Sequence, residues 1–187
     1  MTTDDLGKTA FFSLALFAGV VLTYLLVLPV QNLFFPAVST DAALIYLPFG
    51  VKVLVAFFNG WKSVPYLLPG AILANSVYFG SPMYDWMTYA ALAISYGITP
   101  AIFALLDWTT LSDRRRTLSP RAGWRVLVVG GLISSILGGL LLHLLWEGTL
   151  PRGEILRSMV KYIVGDFVGL LVTLAAFMAF FRVLRRI

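Results

Sequence analysis

Apolar residues fill six stretches of this chain, at 11–35, 42–58, 64–79, 86–106, 126–146 and 162–181. Polar residues gather in the short segments between them. Runs of roughly 17–25 apolar residues match the hydrocarbon thickness of a bilayer. At that depth a helix satisfies every backbone group within its own segment. The pattern therefore predicts an all-α integral-membrane protein, a bundle of about six transmembrane helices. Composition agrees, because 59% hydrophobic and 12% charged residues leave too little polar surface to cover a soluble globule.

The 187 residues leave room for one such bundle, a single transmembrane domain over 1–187. The longest polar stretch, 107–121, is too short to bury a core of its own. The first apolar run exceeds the roughly 7–15 residues of a signal-peptide core and has no small-residue cleavage site, so it reads as a retained span.

The loop charges alternate. Lys8 precedes the first span, Arg114, Arg115, Arg116, Arg121 and Arg125 fill the fourth connection, and Arg182, Arg185 and Arg186 end the chain. Positive residues stay on the cytoplasmic side, which predicts both termini in the cytoplasm. Arg152 and Arg157 near the fifth connection dilute this pattern. The net charge of +5 thus serves lipid headgroups and does not point to nucleic acid. Trp61, Tyr84, Trp86, Trp108, Trp124 and Trp146 stand near predicted span ends, as interfacial anchors do.

Two spans are interrupted. Pro48 and Gly50 break the second, and Pro65, Pro69 and Gly70 break the third. Such spans either kink, with neighbouring helices taking up the freed backbone groups, or form discontinuous helices that line a cavity. The fifth span carries Gly130, Gly131, Ser134, Ser135, Gly138 and Gly139, two small residues every four positions. One helical face is then almost bare, suited to close packing inside the bundle or against a partner. Gly165 and Gly169 repeat that spacing in the sixth span.

Lys52 in the second span and Asp166 in the sixth lie at the same depth by residue count, near the midplane. An unpaired charge there costs a few kcal/mol at least. The two are therefore expected to face the interior and pair, directly or through water, either as a structural tether or as a ligand or proton site. His143 is the one histidine and there is no cysteine, so no transition-metal site and no cofactor is expected. Asn59 and Asn75 are candidates for hydrogen bonds between helices. No phosphate-cradling loop, carboxylate pair or nucleophile set stands out, which predicts a non-enzymatic protein without catalytic residues.

The segment from Tyr46 through Pro48 and Gly50 to Leu54, then Asn59-Gly60-Trp61, then Val64 through Pro69-Gly70-Ala71 to Asn75, resembles the first signature of the MASE1 family. The run Gly165-Asp166-Phe167-Val168-Gly169 resembles the family's Gly-Asp-x-x-Gly motif. MASE1 proteins are bacterial integral-membrane sensory domains. The resemblance implies a shortened version in the bacterial inner membrane, without the usual effector domain, with Pro48, Gly50, Asn75 and Asp166 at its functional centre. It also implies sensing, or binding a membrane partner such as another membrane protein or a second copy. A different reading is the small-solute-binding subunit of a transporter, similar in size and span number to the vitamin-uptake S-components. The two are told apart by structure. A solute binder needs an enclosed cavity with convergent polar groups, whereas a partner binder needs a filled core and an exposed small-residue face.

Overall fold

The computed structural model describes residues 3–34, 43–79, 86–108, 120–145 and 152–185, and every element among them is helical. Helix α1 (Thr3–Leu22) passes through a π turn at Thr23–Val27 into α2 (Leu28–Phe34). Helices α3 (Leu47–Asn59) and α4 (Ser63–Ala74) form a hairpin around a 3-10 turn at Gly60–Lys62. Gly60 turns that corner at φ 55°, a left-handed conformation glycine adopts without steric cost. A second π turn, Asn75–Phe79, prolongs α4. Helices α5 (Trp86–Trp108), α6 (Pro120–Leu145) and α7 (Arg152–Leu184) complete the bundle.

Among the described residues four segments are long and apolar enough to cross a membrane: Thr3–Phe34, Trp86–Trp108, Gly123–Leu145 and Met159–Val183. The chain is an integral membrane protein by this measure. Helix α3 has 13 residues. At 1.5 Å per residue it reaches about 20 Å, short of the roughly 30 Å hydrocarbon core. Helix α4 with its π turn is helical over Ser63–Phe79, the extent expected for the third span at 64–79. The second, expected at 42–58, is helical from Leu47 onward. The cause is Pro48, which lacks an N–H and fits the first turn of a helix. The helix begins there, so Pro48 and Gly50 open α3 instead of kinking it. Residues 43–46 precede it as non-helical chain.

Short α3 is the centre of the molecule and touches α1, α4, α5, α6 and α7. Its apolar residues point to several neighbours, and Phe58 alone among its large side chains is exposed. Phe49, Val53, Leu54 and Ala56 pack with Phe103 of α5, Leu127 of α6 and Leu170 of α7. On the other flank Val55 joins Leu16 of α1 with Leu67 and Ala71 of α4. Helix α4 is fastened to α1 by a close backbone approach, since a Cβ on Gly70 would run into the Ser13 carbonyl. The Ser13 hydroxyl donates to the Tyr66 carbonyl at 2.8 Å, and the Tyr66 hydroxyl donates to Asp5 Oδ1 at 2.7 Å.

Large apolar side chains such as Leu14, Leu33, Leu105 and Met178 face outward. Water would penalise that surface and lipid does not. Trp61, Trp86, Trp108 and Trp124 stand exposed at helix ends. Tyr84 and Trp146 lie outside the described residues.

Candidate functional site: a charged cavity at one end of the bundle

Non-helical backbone at membrane depth needs partners from the protein, because lipid supplies none. Residues 43–46 find them on two helices. The Tyr46 N–H donates to the Gly165 carbonyl at 2.9 Å, and the Leu44 N–H donates to Gln31 Oε1 at 2.7 Å. The glycines of α7 make this contact possible. A Cβ on Gly165 would run into the Ala43 carbonyl, and one on Gly169 into the Tyr46 carbonyl. A Cβ on Gly50 would likewise strike the side chain of Thr173, which donates to the Gly169 carbonyl at 2.8 Å. The Gly165–Gly169 face thus receives the non-helical entry to α3 in addition to α3 itself.

This arrangement leaves a cavity of about 450 Å³ where α3 and α7 begin and α6 ends. Its size falls within the range of roughly 300–1,000 Å³ seen for ligand pockets. Helix α3 contributes Phe49 and Lys52, and Tyr46 stands just before it. Ser95 and Ile98 come from α5. Ser134, Ser135, Gly138, Gly139 and His143 come from α6, and Tyr162 and Asp166 from α7. The first π turn supplies Tyr24, whose ring stacks at 4.8 Å on Tyr78 of the second. A π turn displaces side chains from the regular helical rows, and here it aims one at the cavity.

Lys52 and Asp166 both line this space and do not form a direct ion pair. Among the described residues the ion pair is that of Lys8 with Asp4. The Lys52 ammonium donates to the Ser95 carbonyl at 3.1 Å and meets the Ser95 hydroxyl at 3.5 Å. It also lies 4.7 Å from the centroid of the Phe49 ring and 5.8 Å from that of Tyr96, within reach of cation–π attraction. Pro100, inside α5, has no N–H for the Tyr96 carbonyl. The lysine therefore docks beside a gap in the backbone ladder of α5. Asp166 Oδ2 accepts from the Ser135 hydroxyl at 2.8 Å, while Oδ1 has no hydrogen-bond partner among the described residues. Each charge is held by one serine and keeps bonding capacity for something in the cavity.

The small-residue stripe of α6 faces inward. A Cβ on Gly130 would strike the Phe103 ring, and one on Gly131 would come within 2.6 Å of Leu170 Cδ2. Ser134 donates to the Gly130 carbonyl of its own helix at 2.7 Å. Gly138 and Gly139 border the cavity, where a Cβ would meet Ile98 Cγ2 at 3.4 Å and Met159 Cγ at 4.0 Å. Of the two uses expected for this stripe, the structure shows packing inside the bundle at Gly130 and Gly131. Backbones gain close approach at one end of the stripe, and the cavity gains room at the other.

The other expected site residues divide. Pro48, Gly50, Gly165 and Gly169 build the wall that carries Tyr46 without lining the cavity themselves. Pro69, Gly70 and Asn75 belong to α4 and its π turn and do not line it. Asn59 bonds the Val55 carbonyl of its own helix at 3.0 Å, not a neighbouring helix. The phenols of Tyr24, Tyr46 and Tyr162 and the Ser95 pair of oxygens escaped the sequence reading. Ser95 had a usable signal, a hydroxyl residue shortly before a proline inside an apolar span. Among the described residues no three His, Cys, Asp or Glu side chains come together as a metal site would need.

The arrangement offers recognition: one cation, one anion, several hydroxyls and aromatic walls around one cavity. No protein-family model, no curated protein and no solved structure matches the chain.

Proposed function

We propose that this protein is a non-enzymatic membrane bundle that binds a small organic molecule between Lys52 and Asp166. The observation that carries the proposal is that two opposite charges at membrane depth line one cavity and leave each other unpaired. Had they served as a tether, direct contact would offset their desolvation. Had the chain been built chiefly to dock a partner, the core would be filled and the glycine stripe exposed. In the proposed topology the chain crosses six times, the short α3–α4 hairpin included, and both termini are cytoplasmic. The Arg-rich 114–125 segment then lies inside and the cavity in the outer half. A bacterial inner membrane is the setting that the MASE1 resemblance implies. Under that resemblance the ligand is a signal, and under the solute-carrier reading it is cargo passed to a partner subunit.

Native mass spectrometry of the chain extracted in mild detergent tests the binding itself. A non-protein mass at one per chain is expected. Gly139→Phe should remove it, because the new ring enters the cavity at a position where a Cβ has its nearest neighbour 4.0 Å away. An adduct that survives this substitution, or a chain free of small molecules that arrives with a stoichiometric protein partner, overturns the reading.

A further inference from the structure

We infer that the ligand is a small zwitterion of the α-amino acid kind with an apolar or aromatic side chain, its carboxylate at Lys52 and its ammonium at Asp166. The inference rests on the cavity being a ligand site and goes on to name what it takes. Charge balance comes first. Lys52 and Asp166 carry the fixed charges of the lining, and they sum to zero. A ligand with net charge would leave one uncompensated charge buried at membrane depth, which is costly. An uncharged ligand would leave both unmet. A zwitterion answers each with its opposite.

Valence and reach agree with this. The ammonium has three donors, and the two Ser95 oxygens take two at most. Asp166 keeps Oδ1 open. The two groups stand farther apart than the 4.0 Å of an ion pair, and both border the same cavity. An α-amino acid holds both charges on one carbon and spans a short gap. Phe49, Tyr24, Tyr46 and Tyr162 then enclose its side chain with aromatic surface.

The test uses the full chain in detergent, with tryptophan fluorescence during heating as readout. The probes are L-phenylalanine and L-leucine, their methyl esters (net cations) and their N-acetyl derivatives (net anions). At least one free amino acid should raise the melting temperature, with its capped forms weaker by about 30-fold or more, roughly 2 kcal/mol at 1.4 kcal/mol per decade. Lys52→Met should reverse the order in favour of the methyl ester, and Asp166→Asn in favour of the N-acetyl form. Capped forms that bind the unmodified protein as well as the free amino acid overturn the inference. So does silence from every probe alongside a native adduct that Gly139→Phe removes, and in that case the cavity reading survives. An adduct indifferent to Gly139→Phe fails the cavity reading itself.

Discussion

Gly169→Ala adds one methyl group to α7, and its effect follows from what stands against that helix. The new Cβ would run into the Tyr46 carbonyl oxygen and lie 2.5 Å from its carbon and 2.9 Å from the Tyr46 nitrogen. Carbon atoms prefer about 3.5–4.0 Å, so the backbone at residue 46 must retreat by about 1 Å. Backbone has no rotamer with which to yield. The retreat stretches the Tyr46 N–H bond to Gly165, now 2.9 Å. Overpacking of this kind costs about 1–3 kcal/mol, and a weakened hydrogen bond adds about 0.5–1.5 kcal/mol. Alanine returns up to about 1 kcal/mol through helix propensity. The net loss is roughly 1–3 kcal/mol, which lowers the melting point by several degrees at about 2–4 °C per kcal/mol. Thermal melting in detergent, followed by tryptophan fluorescence, reads it. Gly97→Ala on α5 is the control, since nothing stands within 4 Å of that Cβ. It should melt at or above the unmodified protein. If Gly169→Ala melts like the unmodified protein, or Gly97→Ala falls as far, the close approach of residues 43–46 to α7 is wrong.

Three further substitutions probe separate links. Lys52→Met and Asp166→Asn each leave a net charge in the cavity, and the double variant leaves none; the double should be milder than the sum by about 0.5–3 kcal/mol, and additive melting losses would refute the charge balance. Thr99→Val removes a hydroxyl that is buried without a partner, so it should not destabilise, whereas Thr23→Val loses the 2.8 Å bond to the Gly19 carbonyl and should cost about 0.5–1.5 kcal/mol; equal losses in the two melts would contradict this. Gly130→Ala should destabilise by striking the Phe103 ring, so replacing that ring in Phe103→Leu should restore part of its stability in the double-variant melt, and no restoration would refute their contact.

The long helices were legible in the sequence because span length is a matter of residue count, and Trp86–Trp108 lies within two residues of its expected bounds. The start of α3 was legible only as a disturbance. Pro48 marked a break, but whether a proline kinks a helix or starts one depends on what satisfies the residues before it. Here that depends on Gly165 and Gln31, more than a hundred and about a dozen residues away in the chain. The glycines of α7 looked like a helix–helix face because spacing cannot say whether a neighbour is helical. The shared depth of Lys52 and Asp166 was countable, yet their separation was not, since it turns on Ser95 and Ser135 each taking one charge. The π turn that brings Tyr24 to the cavity has no marker in the apolar run that contains it.

The separation of the two charges links the fold to its proposed use. A membrane helix tolerates a lysine or an aspartate at depth when the interior compensates it. Direct pairing would do so and would close the space between α3 and α7. In this chain serine oxygens and ring faces compensate each charge in part. That holds the side chains in place and leaves bonding capacity uncommitted. Under the proposed function, a ligand that completes both charges draws its binding energy from that uncommitted capacity. Short α3 is what makes it possible. Because the helix starts only at Leu47, Ala43 and Tyr46 of the non-helical entry border the cavity together with the bare face of α6.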